Sequence, residues 1–271
     1  MKMWIDGLFH VKKPIIALLH LRELPGDPLF PAGGSIEQTV SKANEELEAL
    51  QAGGVDGILF ANEFSLPYQH IAPPVTLSAM AYVIGRLKEQ IRVPFGVNVV
   101  LNPMASVEMA AALDANFVRS TFTGAYMGES GITNTDVAAY VRRRTELGRQ
   151  DLKMLYKVNP ESDAYLAPRD IKKITKSILF HCFPDGLCVS GASAGSETSA
   201  DVIQEVKSVA EQTPVFCNTG CTAANAATML SKADGACVGT AFKKDGKFQN
   251  HVEYQRVKEF MDTVKDFRAT L

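Results

Sequence analysis

Five side chains carry the types needed for acid–base or carbonyl chemistry, and each falls within or at the end of a short, mostly apolar run: His20, Glu63, Asn98, Arg119 and Lys157. His20 ends the otherwise aliphatic stretch IIALLH, where an imidazole could exchange protons near neutral pH or donate to a substrate oxygen. The competing reading is a core histidine bonded to a loop carbonyl. Glu63 could be the partnering general acid or base, or hold a divalent cation or a sugar hydroxyl; an ion pair with Arg119 is its alternative. Arg119 offers a fixed positive fork for a carboxylate or phosphate. Lys157, if inward and desolvated, could form a Schiff base with a carbonyl substrate or neutralise an anion, against the plain case of a solvent-facing lysine. Asn98 reads as a hydrogen-bonding group, although an asparagine satisfied by backbone has the same signature.

A second set of residues is small rather than reactive. Ser190 and Gly191, continuing through Ala192, Ser193, Ala194 and Gly195, follow one apolar run; Asn218, Thr219 and Gly220 end the next; Gly239 and Thr240 end the last. Small residues let backbone N–H groups approach an anion closely, and a helix start adds positive potential, with Thr222 the expected cap. Three such loops in succession point to an anion site, phosphate first; glycines that merely permit tight turns are the alternative.

The elements that must position these residues follow from hydrophobic period. Short apolar runs near 15–21, 57–63, 94–102, 116–122, 152–158, 186–191, 214–220 and 235–240 alternate with helix-period segments, with no linker between them. Helix punctuation fills the intervals. Ser35 with Gln38 reads as a capping box, Gly53-Gly54 as its stop, and Asn102-Pro103 as a cap and first-turn pair. Ile171, Ile174 and Ile178 recur at helical spacing, as do Val202, Val206 and Val209, and Val257, Met261 and Val264. Eight strand-then-helix units predict one α/β domain over residues 1–271, a (β/α)8 TIM barrel. An open doubly wound sheet would carry a glycine-rich turn after its first strand, where this chain runs into HLRELPGDP. In a barrel, the carboxyl ends of the strands build the site; the polar ends are His20, Asn62, Glu63, Asn98, Asn102, Arg119, Thr121, Lys157, Asn159 and Ser190, and the two-residue period sends some of them toward the helices instead.

Composition narrows the partners. The chain has 271 residues, 46% of them hydrophobic, and its 28 basic and 30 acidic residues leave a net charge of −2. That balance gives no polybasic field for nucleic acid, and Arg142, Arg143 and Arg144 read as a solvated helix face. Five cysteines without paired C-x-x-C spacing fit a reducing cytoplasm, with Cys188, Cys217 and Cys237 as core residues. No apolar stretch suits a signal peptide or a membrane span, so neither membrane insertion nor export is expected. No Walker-type loop is present.

The segments KPIIALLHLRELPGDP, GGVDGILFANEFSLPY, PFGVNVVLN, FVRSTFTGAY, SGASAGSETSADV, NTGCTAANA and ADGACVGTAFKKDGKF together resemble the BtpA/SgcQ family nearly end to end, and its SgcQ-like branch most of all. The resemblance implies a TIM barrel related to phosphate-binding barrels, in a family with members implicated in photosystem I biogenesis. It marks His20, Pro25, Gly26, Asn62, Glu63, Asn98, Arg119, Gly124, Gly191, Gly195, Gly220, Asn225, Gly239 and Lys243 as characteristic positions. The chain departs from the family at Met127 to Gly131, where an acidic T-D-Q-G-like stretch is common, and at Tyr156 to Asn159, where a V-K-H-like end is common.

The expected function is an enzyme acting on a small phosphorylated metabolite, a sugar phosphate or phosphoribosyl compound, by acid–base isomerase, epimerase or lyase chemistry. The phosphate would rest on Ser190, Gly191, Asn218, Thr219, Gly220, Gly239 and Thr240, with the reacting end toward His20, Glu63, Asn98, Arg119 and Lys157. A non-catalytic assembly or regulatory factor that keeps an anion-binding barrel is the alternative. No cofactor is required; Mg²⁺ on Glu63 and Glu129 with a substrate phosphate is the one metal arrangement the sequence offers. A homo-oligomer is the expected assembly.

Overall fold

The apolar runs form eight strands: β1 (Ile15–His20), β2 (Gly57–Ala61), β3 (Phe95–Asn98), β4 (Phe117–Ser120), β5 (Lys153–Asn159), β6 (Gly186–Val189), β7 (Val215–Cys217) and β8 (Gly235–Val238). The strands close into a barrel in chain order, every neighbouring pair parallel. The helices between them are α1 (Ile36–Ala52), α2 (Pro74–Leu87), α3 (Pro103–Leu113), α4 (Val137–Glu146), α5 (Ile171–Cys182), α6 (Ala200–Lys207), α7 (Ala226–Lys232) and α8 (Tyr254–Arg268). This is the single-domain (β/α)8 barrel that the alternation of patterns predicts. The computed structural model describes residues 3–191 and 196–271; the expected loop residues Ala192, Ser193, Ala194 and Gly195 lie outside them.

Period-2 alternation divides the core in two. Ile15, Ala17 and Leu19 of β1 belong to the large cluster beneath the helices, whereas Ile16 and Leu18 belong to a smaller cluster inside the ring. Leu59, Phe117, Leu155, Cys188, Phe216 and Cys237 complete that interior. It is filled by alternating large and small residues: a Cβ on Gly96 would lie 2.3 Å from the Phe117 ring. An amino-terminal helix (Trp4–Phe9), absent from the sequence reading, closes the lower end. Its Ile5 and Phe9 join the interior cluster, Phe9 stands 6.0 Å from Phe117, and Trp4 Nε1 donates to the Asp185 carbonyl at 2.7 Å. With the bottom sealed by apolar side chains, the polar strand ends are left to the top.

Several helix ends differ from the punctuation read in the sequence. Ser35 caps α1, but its Oγ accepts from Glu37 N–H at 3.2 Å while Gln38 N–H goes to the Ser35 carbonyl, so the reciprocal box is not formed. Asn102 holds the cap position of α3, yet its side chain turns away to accept from Ala72 N–H and donate to Gln69 and Val100 carbonyls. Thr222 is not a cap. Asn225 precedes α7, and its side chain accepts from Thr222 N–H and donates to the Gly220 carbonyl. Val209 lies beyond α6. Arg143 and Arg144 lie on α4 and pair with Glu108 and Asp185, as a structural helix face does.

A second unanticipated element stands over the barrel mouth. The β4–α4 connection folds into a hairpin of Ala125–Gly128 and Gly131–Asn134, and Ala164–Tyr165 from the β5–α5 connection adds a third antiparallel strand. All five cysteines are free, with Cys188, Cys217 and Cys237 buried as expected. Among the described residues, no helix is long and apolar enough to cross a bilayer.

Candidate functional site

At the carboxyl end of the barrel, the inward-facing positions enclose a cavity of about 390 Å³. His20, Glu63, Arg119 and Lys157 all line it, as do Asn218, Thr219, Gly220, Gly239 and Thr240. Alternation explains the selection, since each barrel side chain here is an even number of residues from an interior apolar one: His20 from Leu18, Arg119 from Phe117, Lys157 from Leu155, Asn218 from Phe216. Asn62, at odd spacing from Leu59, faces outward, and Asn159, although at even spacing from Lys157, is turned aside by the register shift that β5 makes between these two residues; both staple loops instead. Asn62 Oδ1 accepts from Val100 N–H at 2.8 Å, and Asn159 exchanges two bonds with the Ser190 backbone. Asn98 is buried at the end of β3 but does not line the cavity.

A charged network forms the floor. Arg119 is 2% exposed and donates from Nη1 to Asn218 Oδ1 at 2.9 Å, with Nη2 3.7 Å from Glu63 Oε1. Asn218 Nδ2 donates to Glu161 Oε1 at 2.8 Å and to Ser190 Oγ at 2.9 Å. Lys157 Nζ donates to Glu161 Oε2 at 2.8 Å. Burial pushes the Glu161 carboxyl up, but Lys157 and Arg119 outweigh it and hold it at about 2. Lys157 therefore points into the barrel as one half of an ion pair, and a covalent role would first require that pair to part. Tyr68 donates to Glu63 Oε2 at 3.0 Å; burial and the Glu63 charge together raise its phenol well above the ordinary value. Glu63 thus meets Arg119 on one side and a neutral hydroxyl on the other.

His20 sits apart from that network, beside the last loop of the barrel. A Cβ on Gly239 would lie 3.0 Å from its Cε1, so the glycine lets the ring sit close against the last loop, and Phe248 lies tilted against it with ring centroids 5.3 Å apart. Its Nδ1 is buried without a partner. Burial, reinforced by Lys243, Arg119 and Arg22, holds the imidazole well below its ordinary value of 6.5, so it is neutral at physiological pH. The unfolded chain takes a proton at this residue as pH falls through 6.5, whereas the folded chain does not. Stability is therefore lost with acidification across that value. Between about pH 7.5 and about pH 5.5, the wild type should lose on the order of 1 kcal/mol more stability than His20→Asn. Denaturant melts at the two pH values check this, and equal losses would contradict the assignment.

The small-residue loops divide into lining and support. Gly220 (φ 67°), Gly239 and Thr240 line the cavity. Gly191 N–H is already given to Thr219 Oγ1 at 2.6 Å, and Ser190 Oγ accepts from Asn218; neither residue lines the cavity. Thr198 Oγ1 donates to the Thr219 carbonyl at 2.9 Å, binding the segment that follows β6 to the β7 loop. Glu63 and Glu129 both face the cavity, but no group of three metal-ligating side chains occurs among the described residues.

Sequence reasoning missed Glu161, Tyr68, Phe248 and Arg256, all of which line the cavity. Lys157 lies in the run read as strand, 152–158, and Glu161 lies beyond its end, where a continued strand would hold the two far apart. They meet because β5 ends at Asn159 and the chain turns at Glu161 and Ser162.

Comparison with known proteins agrees with this architecture. The model of the BtpA family matches residues 11–266. The putative sgc region protein SgcQ of Escherichia coli K12 is 44% identical over 265 residues, 98% of this chain and 99% of that protein. The photosystem I biogenesis protein BtpA of Synechocystis is 27% identical over 261 residues, 95% of this chain and 90% of that protein. Among solved structures, (S)-3-O-geranylgeranylglyceryl phosphate synthase from Thermoplasma acidophilum, in complex with substrate sn-glycerol-1-phosphate, superposes with a TM-score of 0.63 at 15% identity. That likeness covers 98% of this chain and all of the other, and it is a likeness of fold. By the family match along nearly its whole length and by its likeness to SgcQ, the chain belongs to the BtpA family.

Proposed function

We propose that this barrel is an enzyme acting on a small phosphorylated metabolite, a sugar phosphate or phosphoribosyl compound, by acid–base isomerase, epimerase or lyase chemistry. The observation that carries the reading is one cavity lined on one side by Glu63, Arg119 and Lys157 and on the other by the Gly220 and Gly239–Thr240 loops. The solved barrel holding sn-glycerol-1-phosphate supports it by analogy of fold. In this reading the phosphate rests against the β7 and β8 loops, with Ser190 and Gly191 supporting Asn218 and Thr219 from behind. The reacting carbon faces Glu63, which moves the proton, while Arg119 stabilises the oxygen on which charge develops. His20, held neutral, donates or accepts a hydrogen bond. Lys157 and Glu161 fix the floor, while Asn98, buried at the end of β3, does not line the cavity. The reading requires no cofactor and includes a homo-oligomer in the cytoplasm.

A second reading, a non-catalytic assembly factor that retains the anion site, is favoured by the biogenesis role in the name of the Synechocystis relative. A thermal-shift panel of sugar phosphates and nucleotides, followed by conversion assays on each stabilising ligand, separates the two. Turnover supports the enzyme; binding without product anywhere in the panel supports the factor. With a substrate in hand, replacing both His20 and Glu63 by alanine should lower kcat/KM at least ~100-fold. An intact rate in that double variant would overturn the assigned acid–base centre.

A further inference from the structure

The cationic side chains around the cavity are not equally committed. Arg119 faces Glu63 at 3.7 Å and Lys157 faces Glu161 at 2.8 Å, so each already has a carboxylate. Arg256 has none within ion-pair distance among the described residues. It stands in the first turn of α8, half-buried, and lines the cavity beside Thr240 and Gly246. Its Nε donates to the Ala241 carbonyl at 3.0 Å, which orients the guanidinium over the β8 loop. Nη2 lies 3.5 Å from where a Cβ of Gly246 would be, so a bare glycine borders the outer edge of the fork. The fork is held by one bond and keeps its Nη donors uncommitted, which suits two oxygens of one phosphate.

We propose that Arg256 is the residue that reads the phosphate charge, gripping a phosphate monoester against the Gly239–Thr240 loop and discriminating it from the unphosphorylated compound. This inference rests on the phosphate-site reading given above. It assigns the site a side chain from the last helix, where the sequence offered only small residues and backbone. Arg119, paired with Glu63, then serves the reacting end.

The test uses inorganic phosphate and sn-glycerol-1-phosphate as probes in calorimetric titrations of the full chain. The wild type should bind both, and Arg256→Gln, which keeps a donor for the Ala241 carbonyl, should weaken both at least ~10-fold. Arg256→Lys, with charge but no fork, should fall between. Binding by the wild type with unchanged affinity in Arg256→Gln overturns this inference alone; no binding of either probe by the wild type overturns the phosphate site as well. A measurement on the unaltered protein covers a variant that fails to fold. Phosphate should slow phenylglyoxal modification of Arg256, followed by peptide mass, and a rate indifferent to phosphate overturns the proposal.

Discussion

Replacing Glu161 with glutamine should lower stability by about 3 kcal/mol, a fall in Tm of roughly 6–12 °C for a chain of this size. The carboxylate is one of two anions that balance Arg119 and Lys157 at the floor of the cavity, and it accepts from both Lys157 and Asn218. Glutamine has the same shape but no charge. It leaves Lys157, largely buried at the cavity floor, without the carboxylate that it pairs with, and removing one partner of a largely buried pair is costly. The effect carries a pH signature. The folded carboxyl titrates at about 2 and the unfolded one near 4.5. Its contribution is therefore complete above 4.5 and lost as pH falls toward 2. Melts near neutral pH and near pH 3 should show the gap between wild type and variant narrowing with acid. A glutamine variant within about 0.5 kcal/mol of wild type at neutral pH would mean that the floor does not depend on this charge.

Replacing Gly220 with alanine should cost roughly 2–4 kcal/mol and abolish binding of phosphate probes. The residue has φ of 67°, the left-handed region, and its missing side chain is filled by neighbouring backbone: a Cβ there would lie 2.2 Å from Glu197 Cα and 2.4 Å from the Ser196 carbonyl oxygen. Neither obstacle is a flexible side chain, so the segment after β6 must move away from the β7 loop. With it would go the bond from Thr198 to the Thr219 carbonyl. Chemical denaturation and calorimetry with inorganic phosphate on the same preparation measure both losses. Unchanged stability with full affinity would show that the two loops do not depend on each other.

The barrel was legible because its signal is collective. Eight buried parallel strands read as eight apolar runs whatever their exact ends, and the same alternation that placed Leu18 inside places His20 there too. His20, Glu63, Arg119 and Lys157 were legible as polar residues at the ends of apolar runs, and the structure's alternation is what turns them inward. Glu161 was not legible, because its position depends on a turn beyond the strand that no period encodes. Arg256 looked like any exposed helical arginine, and only the arrival of α8 beside the β8 loop gives it a cavity to face. The hairpin over the mouth has strands of four residues, too short for a repeat to show. Its one sequence mark was the Gly128 and Gly131 pair around a two-residue turn.

That hairpin has a consequence for how relatives diverge. Its tip, Glu129 and Ser130, reaches the rim of the cavity, where the Ser130 carbonyl meets His70 Nε2 at 2.7 Å, while among the described residues its strands pair with each other and with Ala164–Tyr165 from the adjoining connection. Among the described residues, none of its ladder bonds belongs to the barrel ring. The canopy can therefore be rewritten or grafted as a unit, changing which guests are admitted, while the staves beneath keep their register and the machinery they carry.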